Sequence, residues 1–351
     1  MSTPNNTIAF TPIAVQPLAF VSSLGTSLTE IYNNTQAPPN PPSRLETEIF
    51  DVSTQSMSKV YGVMVLADSA SYVERLNKLI NTSITQAALA FKKYSPTFTN
   101  IASQLFILIQ LPAVNTRRAK FIDQSALATI IRNSEISWSV ATIKFIDTDD
   151  AISIASQLLQ QSTEITAVIV GAVDSLFDDD AISFLADSNE LRTMDDSNGV
   201  AIGEAAGWLL LTRDGKNAPL ILKHHAIAND KHCLVTATEK LQLKQRINKV
   251  IKLYSNTPEH LNQEHEINLR FLEVKLASIP DEHQIQLIDL TASCGYLGSA
   301  NSAIALAYLA GSHAADPDAW NAALILNHDL ELQTAHSYLI TKGNVYEHDH
   351  A

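Results

Sequence analysis

Apolar residues in this chain follow two spacings, a helical one and a strand-like one, and the two take turns from end to end. Ile13 to Phe20 is an apolar run of strand length, and Pro17 inside it favours an edge position or a bulge, because proline gives the ladder no amide hydrogen. Ser22-Ser23-Leu24-Gly25 reads as a turn, and Ser27-Leu28-Thr29-Glu30 as a capping box that opens a short helix. The proline-rich stretch Ala37 to Ser43 can be neither helix nor central strand and is expected as a surface loop. Helical spacing of Leu76, Leu79, Ile80, Ile84, Ala87, Ala88 and Phe91 predicts a helix over Ser71 to Tyr94. Strands are expected at Leu105 to Leu111 and Ser137 to Ile146, with a helix at Ala126 to Ile131 between them.

Ala151 to Gln160 carries small and apolar residues around most of its circumference, the pattern of a helix buried on all sides. The strand Ala167 to Val170 follows closely, giving an α/β unit. Asp178 to Ala186 predicts a helix whose leading carboxylates suit the positive end of the helix dipole, and Arg192 to Asn198 a polar loop. The second half repeats the theme. Strands are expected at Pro219 to Ile227 and Ile285 to Leu290, and helices at Thr238 to Tyr254 and Asn262 to Ala277. A second small-residue helix is expected at Ser299 to Ala310, and a closing hairpin from Ala322 to Asn327 and Ala335 to Ile340. Two halves, 1–215 and 216–351, each with a small-residue helix among apolar strands, fit a duplicated α/β architecture.

Composition narrows the class. In 351 residues, 46% hydrophobic and 17% charged, there is enough apolar material for a large core. A formal net charge of −13 argues against nonspecific binding of nucleic acid or an anionic membrane. Two cysteines, Cys233 and Cys294, make no disulfide framework and no zinc spacing, which fits a reducing, cytoplasmic setting. The first residues lack a basic secretory n-region, no apolar run reaches membrane-spanning length, and no phosphate-binding glycine signature is present.

The candidate chemistry is sparse. His224 and His225 are adjacent on an expected strand, so their rings point to opposite faces, and with His232 and Cys233 they do not make a convergent metal site. Cys294 has the ordinary reading of a small buried hydrophobe, and Glu347 to Ala351 that of a disordered tail. Gly203-Glu204-Ala205-Ala206-Gly207 is more informative. It opens a buried strand with residues small enough for close backbone approach, and it carries one carboxylate to be held by neighbouring backbone donors.

Four segments in order resemble the β-ketoacyl synthases of the thiolase fold: Leu18 to Gly25, Gly171-Ala172-Val173-Asp174-Ser175, Gly203 to Gly207, and Ser293-Cys294-Gly295-Tyr296-Leu297-Gly298 running on to Ala303. The resemblance implies a layered αβαβα sandwich of two related halves. Gly171, Asp174, Ser175, Gly203, Glu204, Gly207, Gly295 and Gly298 would be scaffold positions. Such enzymes carry a nucleophilic cysteine at the mouth of a buried helix, where the dipole and backbone donors favour the thiolate. The matching stretch here is Lys144-Phe145-Ile146-Asp147, and the first half contains no cysteine at all. Of the family's histidines, one falls at Tyr296, a hydrogen-bond donor without imidazole's charge; the only candidate for the other is His265, on a helix-compatible stretch. The family lysine falls near Thr291.

The resemblance therefore implies a ketosynthase-like chain without its nucleophile, similar to the chain-length factors. Such a chain would pair with an active ketosynthase or with itself, and would work with acyl carrier protein in fatty acid, polyketide or polyene-type synthesis. It calls for no cofactor, metal, nucleic acid or membrane. Two other readings stand beside it. One is an enzyme that decarboxylates or hydrolyses acyl thioesters without a covalent intermediate, with Tyr296 as donor. The other is a scaffold on the same fold with Phe145 and Tyr296 filling the acyl path.

Overall fold

The computed structural model describes residues 11–36, 44–51, 56–63, 66, 71–94, 105–114, 116–135, 138–139, 141–187, 191–193, 200–213, 218–228, 251–255, 286–318, 320, 322–330 and 334–343. The expected proline loop, the helix over 262–277, His265, His232, Cys233, the boundary near Gly215 and the tail lie outside these residues.

The chain opens with β1 (Ile13–Ser22) and α1 (Leu28–Gln36). The capping box forms as expected: Ser27 Oγ accepts from the Glu30 amide at 3.2 Å, and Glu30 Oε2 accepts from the Ser27 amide at 3.1 Å. A hairpin not anticipated from sequence, β2 (Arg44–Asp51) and β3 (Ser56–Val63), precedes α2 (Tyr72–Phe91), whose Ser71 cap accepts from Glu74 N. Then come β4 (Leu105–Gln110), α3 (Arg117–Lys120), α4 (Gln124–Ser134), β5 (Thr142–Ile146), α5 (Ala151–Gln161), β6 (Ala167–Ser175), α6 (Asp179–Asp187) and β7 (Ile202–Thr212). The second half holds β8 (Leu220–Ala228), β9 (Ile251–Ser255), β10 (Gln286–Asp289), α7 (Thr291–Cys294), α8 (Asn301–Ala315), β11 (Ala322–Asp329) and β12 (Thr334–Lys342).

Two expectations need correction. The strand β5 starts only at Thr142, and Trp138, expected inside it, is a fully buried residue of the preceding turn. Residues Ile251 to Tyr254, expected at the end of a long helix, form β9. Parallel pairing with β10 on one side and β11 on the other overrides a local pattern that suits either state.

The strand order is β10-β9-β11-β12-β8-β1-β7-β6-β4-β5. It divides into two runs with one plan. Outward from the centre, β1-β7-β6 are antiparallel neighbours and β6-β4-β5 parallel ones. In the same way β8-β12-β11 are antiparallel and β11-β9-β10 parallel. The runs meet where Ile13–Val15 pairs with Leu220–Leu222. Pro17 is accommodated by a register shift between Pro17 and Ala19, so β1 is a central strand with a bulge.

Side-chain alternation sorts the core into layers. Val168, Val170 and Ala172 of β6, with Ala205, Leu209 and Leu211 of β7, face an inner core shared with α5, α8 and the second-half strands. Ile169, Val173, Ala206, Trp208 and Leu210 face an outer core with α2. The helix α8 is buried from Asn301 through His313, as its small apolar residues require. Each fully buried Leu or Ile there contributes about 1.5–3 kcal/mol over an exposed one. The layout sets the first turns of α5 and α8 in the inner layer, against one face of β8, β12 and β11.

Candidate functional site at the mouth of a buried helix

Two buried carboxylates organise the family-like segments. Glu204, near the start of β7, is fully buried. It accepts from Val63 N at 2.8 Å, from Ser175 Oγ at 2.9 Å, and from two nitrogens of Arg75, of which Nε lies at 2.8 Å and Nη2 makes a close ion pair. Arg75 also donates to Leu66 O at 2.9 Å and packs over the Phe177 ring. The sequence-level expectation of backbone donors is thus met by one amide, while a guanidinium and a hydroxyl supply the rest.

Asp174 is the second carboxylate. Oδ1 accepts from Ser175 N at 2.8 Å and from buried Arg118 Nε at 3.3 Å; Oδ2 accepts from Ser299 N at 3.1 Å. A side chain of the first half therefore holds the turn that opens α8 in the second. Gly298 in that turn has φ +55°, and a Cβ there would stand 2.1 Å from Asp174 Oδ2, so only glycine fits. Gly203 passes so close to the Cys294 carbonyl that a Cβ would approach it to 2.3 Å. Gly295 lies in the same turn, Gly207 lies against Ala303 of α8, and Gly171 lies beneath the Trp208 ring.

The expected nucleophile stretch is not at a helix mouth. Lys144, Phe145 and Ile146 belong to β5, the last strand of the sheet order, and Asp147 follows it. Lys144 is exposed over the Phe106 ring, while Phe145 packs against the outer core and Ile146 against the inner one. The strand runs further than the count from Gly171 allowed, and four residues, Asp147 to Asp150, separate it from α5.

The mouth of α5 belongs to Asp150. Its Oδ1 caps the helix by accepting from Ser153 N at 2.7 Å. Gln110, at the end of β4, spans the same turn: its Oε1 accepts from Ala151 N at 2.5 Å and its Nε2 donates to Asp149 O at 2.7 Å. Two amides of the first turn are thus taken by the chain's own side chains, and the dipole meets a resident carboxylate.

A polar cluster that sequence reasoning missed converges on this mouth. Cross-strand pairs Tyr338↔His225, Asn327↔His336 and Ile325↔Tyr338 put His225, Tyr338, His336 and Asn327 on one face, turned toward α5 and α8. The Tyr338 hydroxyl lies beside the Asp150 carboxylate and the hydroxyls of Ser153 and Ser302. The phenol, the carboxylate and the two serine hydroxyls form one buried polar group. Asn327 Nδ2 donates to Ser302 Oγ at 2.6 Å. Burial, then the Asp150 charge, hold the Tyr338 phenol well above its ordinary value, so it stays protonated. Half-buried His225 sits 3.4 Å from Ser156 Oγ. Burial pushes its imidazole down, Asp150 pulls it up, His336 pushes it down and Asp149 pulls it up, with a net fall. The available signal was the alternation of polar residues in Asn327 to Tyr338, which reads as a hairpin until pairing shows which side they share.

The other expected residues are engaged elsewhere. Thr291 opens α7 and is buried; Cys294 donates its thiol to Leu290 O at 3.1 Å. Tyr296 forms a parallel bridge with Ile202, its hydroxyl accepts from Leu330 N at 3.0 Å, and it packs with Val60, Leu176 and Ile182. Phe145 and Tyr296, expected together in one path, belong to different clusters. A separate cleft of about 350 Å³ between α3 and α6 is crossed by the Arg117–Asp180 ion pair at 3.2 Å. Among the described residues no group of His, Cys, Asp or Glu is placed to hold a metal, and no helix is long and apolar enough to cross a membrane.

No family model matches this sequence, and no curated protein does. Solved structures do. The chain is similar to the ishigamide ketosynthase/chain length factor, at TM-score 0.64 and 14% identity over 95% of this chain and 99% of that one. It is similar to a type II PKS acyl-carrier protein in complex with its ketosynthase, at TM-score 0.63 and 14% identity over 94% and 99%. It is also similar to the ketosynthase from module 6 of the bacillaene synthase of Bacillus subtilis 168, at TM-score 0.68 and 11% identity over 95% and 72%. At such identities the likeness is one of fold: the chain has the thiolase-type ketosynthase fold, in two α/β halves.

Proposed function

We propose that this chain is a ketosynthase-like subunit that forms no covalent acyl-enzyme and acts beside an active ketosynthase, with acyl carrier protein, in polyketide-type synthesis. The observation that carries the reading is Asp150. The helix mouth where ketosynthases hold a thiolate here holds a carboxylate that caps α5 and occupies the positive end of its dipole. A carboxylate so placed is a base or a structural cap rather than an acyl acceptor. Similarity to a chain length factor and to a ketosynthase bound to its carrier protein supports the choice of partners. The terminal strand β5, with its exposed Thr142 and Lys144, offers an edge for pairing with a second subunit.

The test is co-expression with a ketosynthase and carrier protein encoded beside it. A stable complex, with labelled acyl groups accumulating on the ketosynthase alone by intact-protein mass spectrometry, is the expected result. An acyl adduct on this chain, or failure to associate with either protein, would count against it.

A further inference from the structure

We propose that the cleft between α3 and α6 binds a small zwitterion, an α-amino acid with an apolar side chain. At about 350 Å³ the cleft has room for a molecule of that size. Its two walls differ in charge. Arg117 and Arg118 stand on α3, Asp180 and Asp187 on α6, and the exposed Phe184 ring lies on the acidic side. A lone anion entering there meets two carboxylates, and a lone cation meets two guanidiniums. A molecule that carries both charges finds a partner on each wall, so the cleft selects by opposing the singly charged alternatives. The planar guanidinium of Arg117 suits a carboxylate, an ammonium offers donors to the Asp180 oxygens, and Phe184 offers apolar surface to the side chain.

The basic wall is fixed before any ligand arrives: Arg118 is buried and held at 3.3 Å by Asp174, which also takes Ser299 N. At the rim, Arg117 Nη1 lies 3.2 Å from Asp180 Oδ1, and its guanidinium carbon lies 5.4 Å from the centre of the Phe121 ring. Both partners of that ion pair are 51% exposed, so water screens it and opening it costs little. A zwitterion set between them replaces one screened contact with two charge-assisted ones. Asp178, just before α6, is nine-tenths buried, and its Oδ2 makes no hydrogen bond, which is uncommon for a buried oxygen. The charged groups that act on it, Arg118, Asp180 and Arg117, all line the cleft. Burial holds its carboxyl above the ordinary range, and a ligand ammonium nearby would stabilise the charged form.

The experiment titrates the purified full chain with L-phenylalanine, 3-phenylpropionate and phenethylamine and follows binding by ligand-observed NMR. The first probe carries both charges, and each of the others lacks one. L-Phenylalanine is expected to bind, and each analogue to bind about tenfold or more weakly than it does. Arg117→Gln and Asp180→Asn should each weaken L-phenylalanine about tenfold or more, because each removes one charged partner. Arg132→Gln, on the exposed face of α4, should leave it unchanged. Phe184→Ala should narrow the preference for L-phenylalanine over L-alanine. Melting curves without ligand check that each variant folds, and the analogue comparison on the wild-type chain decides the matter even where a variant does not. No binding of L-phenylalanine at millimolar concentration overturns the proposal. So does an analogue that binds as tightly, or binding that survives both Arg117→Gln and Asp180→Asn. None of these outcomes involves a ketosynthase, so the subunit reading stands or falls separately.

Discussion

Glu204 and Asp150 are both buried carboxylates, and the contrast between them separates framework from site. Around Glu204 every neighbour is committed: a guanidinium, an amide and a hydroxyl converge on two oxygens. Around Asp150 there is no cation: one oxygen caps Ser153 N, and the neutral hydroxyls of Tyr338, Ser153 and Ser302 gather beside the carboxylate. Closed networks of the first kind specify a packing, and removing one member strands a charge. An arrangement of the second kind, a carboxylate among neutral hydroxyls at a helix mouth, is held by the dipole and by weaker hydrogen bonds.

The contrast can be broken first at the closed end. Arg75→Ala leaves the Glu204 charge buried without its cation and should destabilise by roughly 3–5 kcal/mol in urea denaturation. Gly298→Ala forces a side chain into positive φ against Asp174; the backbone alone should cost roughly 1–3 kcal/mol, seen as a lower melting temperature. At the helix mouth the effects shrink. Asp150→Ala should cost about 1 kcal/mol through the lost cap, and Asp150→Asn much less, since asparagine caps as well. If Asp150→Asn proves as damaging as Arg75→Ala, the two carboxylates are of one kind after all. Tyr338→Phe removes a buried hydroxyl from beside the Asp150 carboxylate and should cost about 0.5–1.5 kcal/mol.

The smallest effect is in pH. Burial lowers the folded-state values of His225 and His313 below 6.5. The unfolded chain then binds protons first as the solution is acidified. Their contribution to stability is full above about pH 6.5 and is lost as pH falls through the lower folded values. Melting curves from pH 8 to 5 should slope less in a His225→Gln, His313→Gln variant than in the wild type.

Much of the fold was legible because single faces carried it. The all-round small residues of α8 and the apolar runs of β4, β6 and β7 leave few alternatives. The segment Ile251 to Ser255 was misread because its state is set by neighbours distant in sequence. At the site, Asp174, Glu204 and the glycines could be singled out by their motifs. The mouth residue could not: counting from Gly171 stopped in β5, since sequence does not reveal where a strand ends and its bend begins. The convergence of Tyr338, His225 and Asn327 was hidden for a deeper reason, although the His224-His225 pair itself stands out in the sequence. Their meeting with Asp150 depends on strand order, and no local pattern encodes it.

The bond from Ser299 to Asp174 has a temporal consequence. Synthesis delivers the first half to solution while the segment bearing Ser299 is still on the ribosome. Until it emerges, one oxygen of Asp174 lacks its amide and the inner faces of β6 and β7 lack their cover. The amino-terminal portion is therefore a waiting template rather than an autonomous domain, and nascent chains stalled before Gly298 should be the species that chaperones hold.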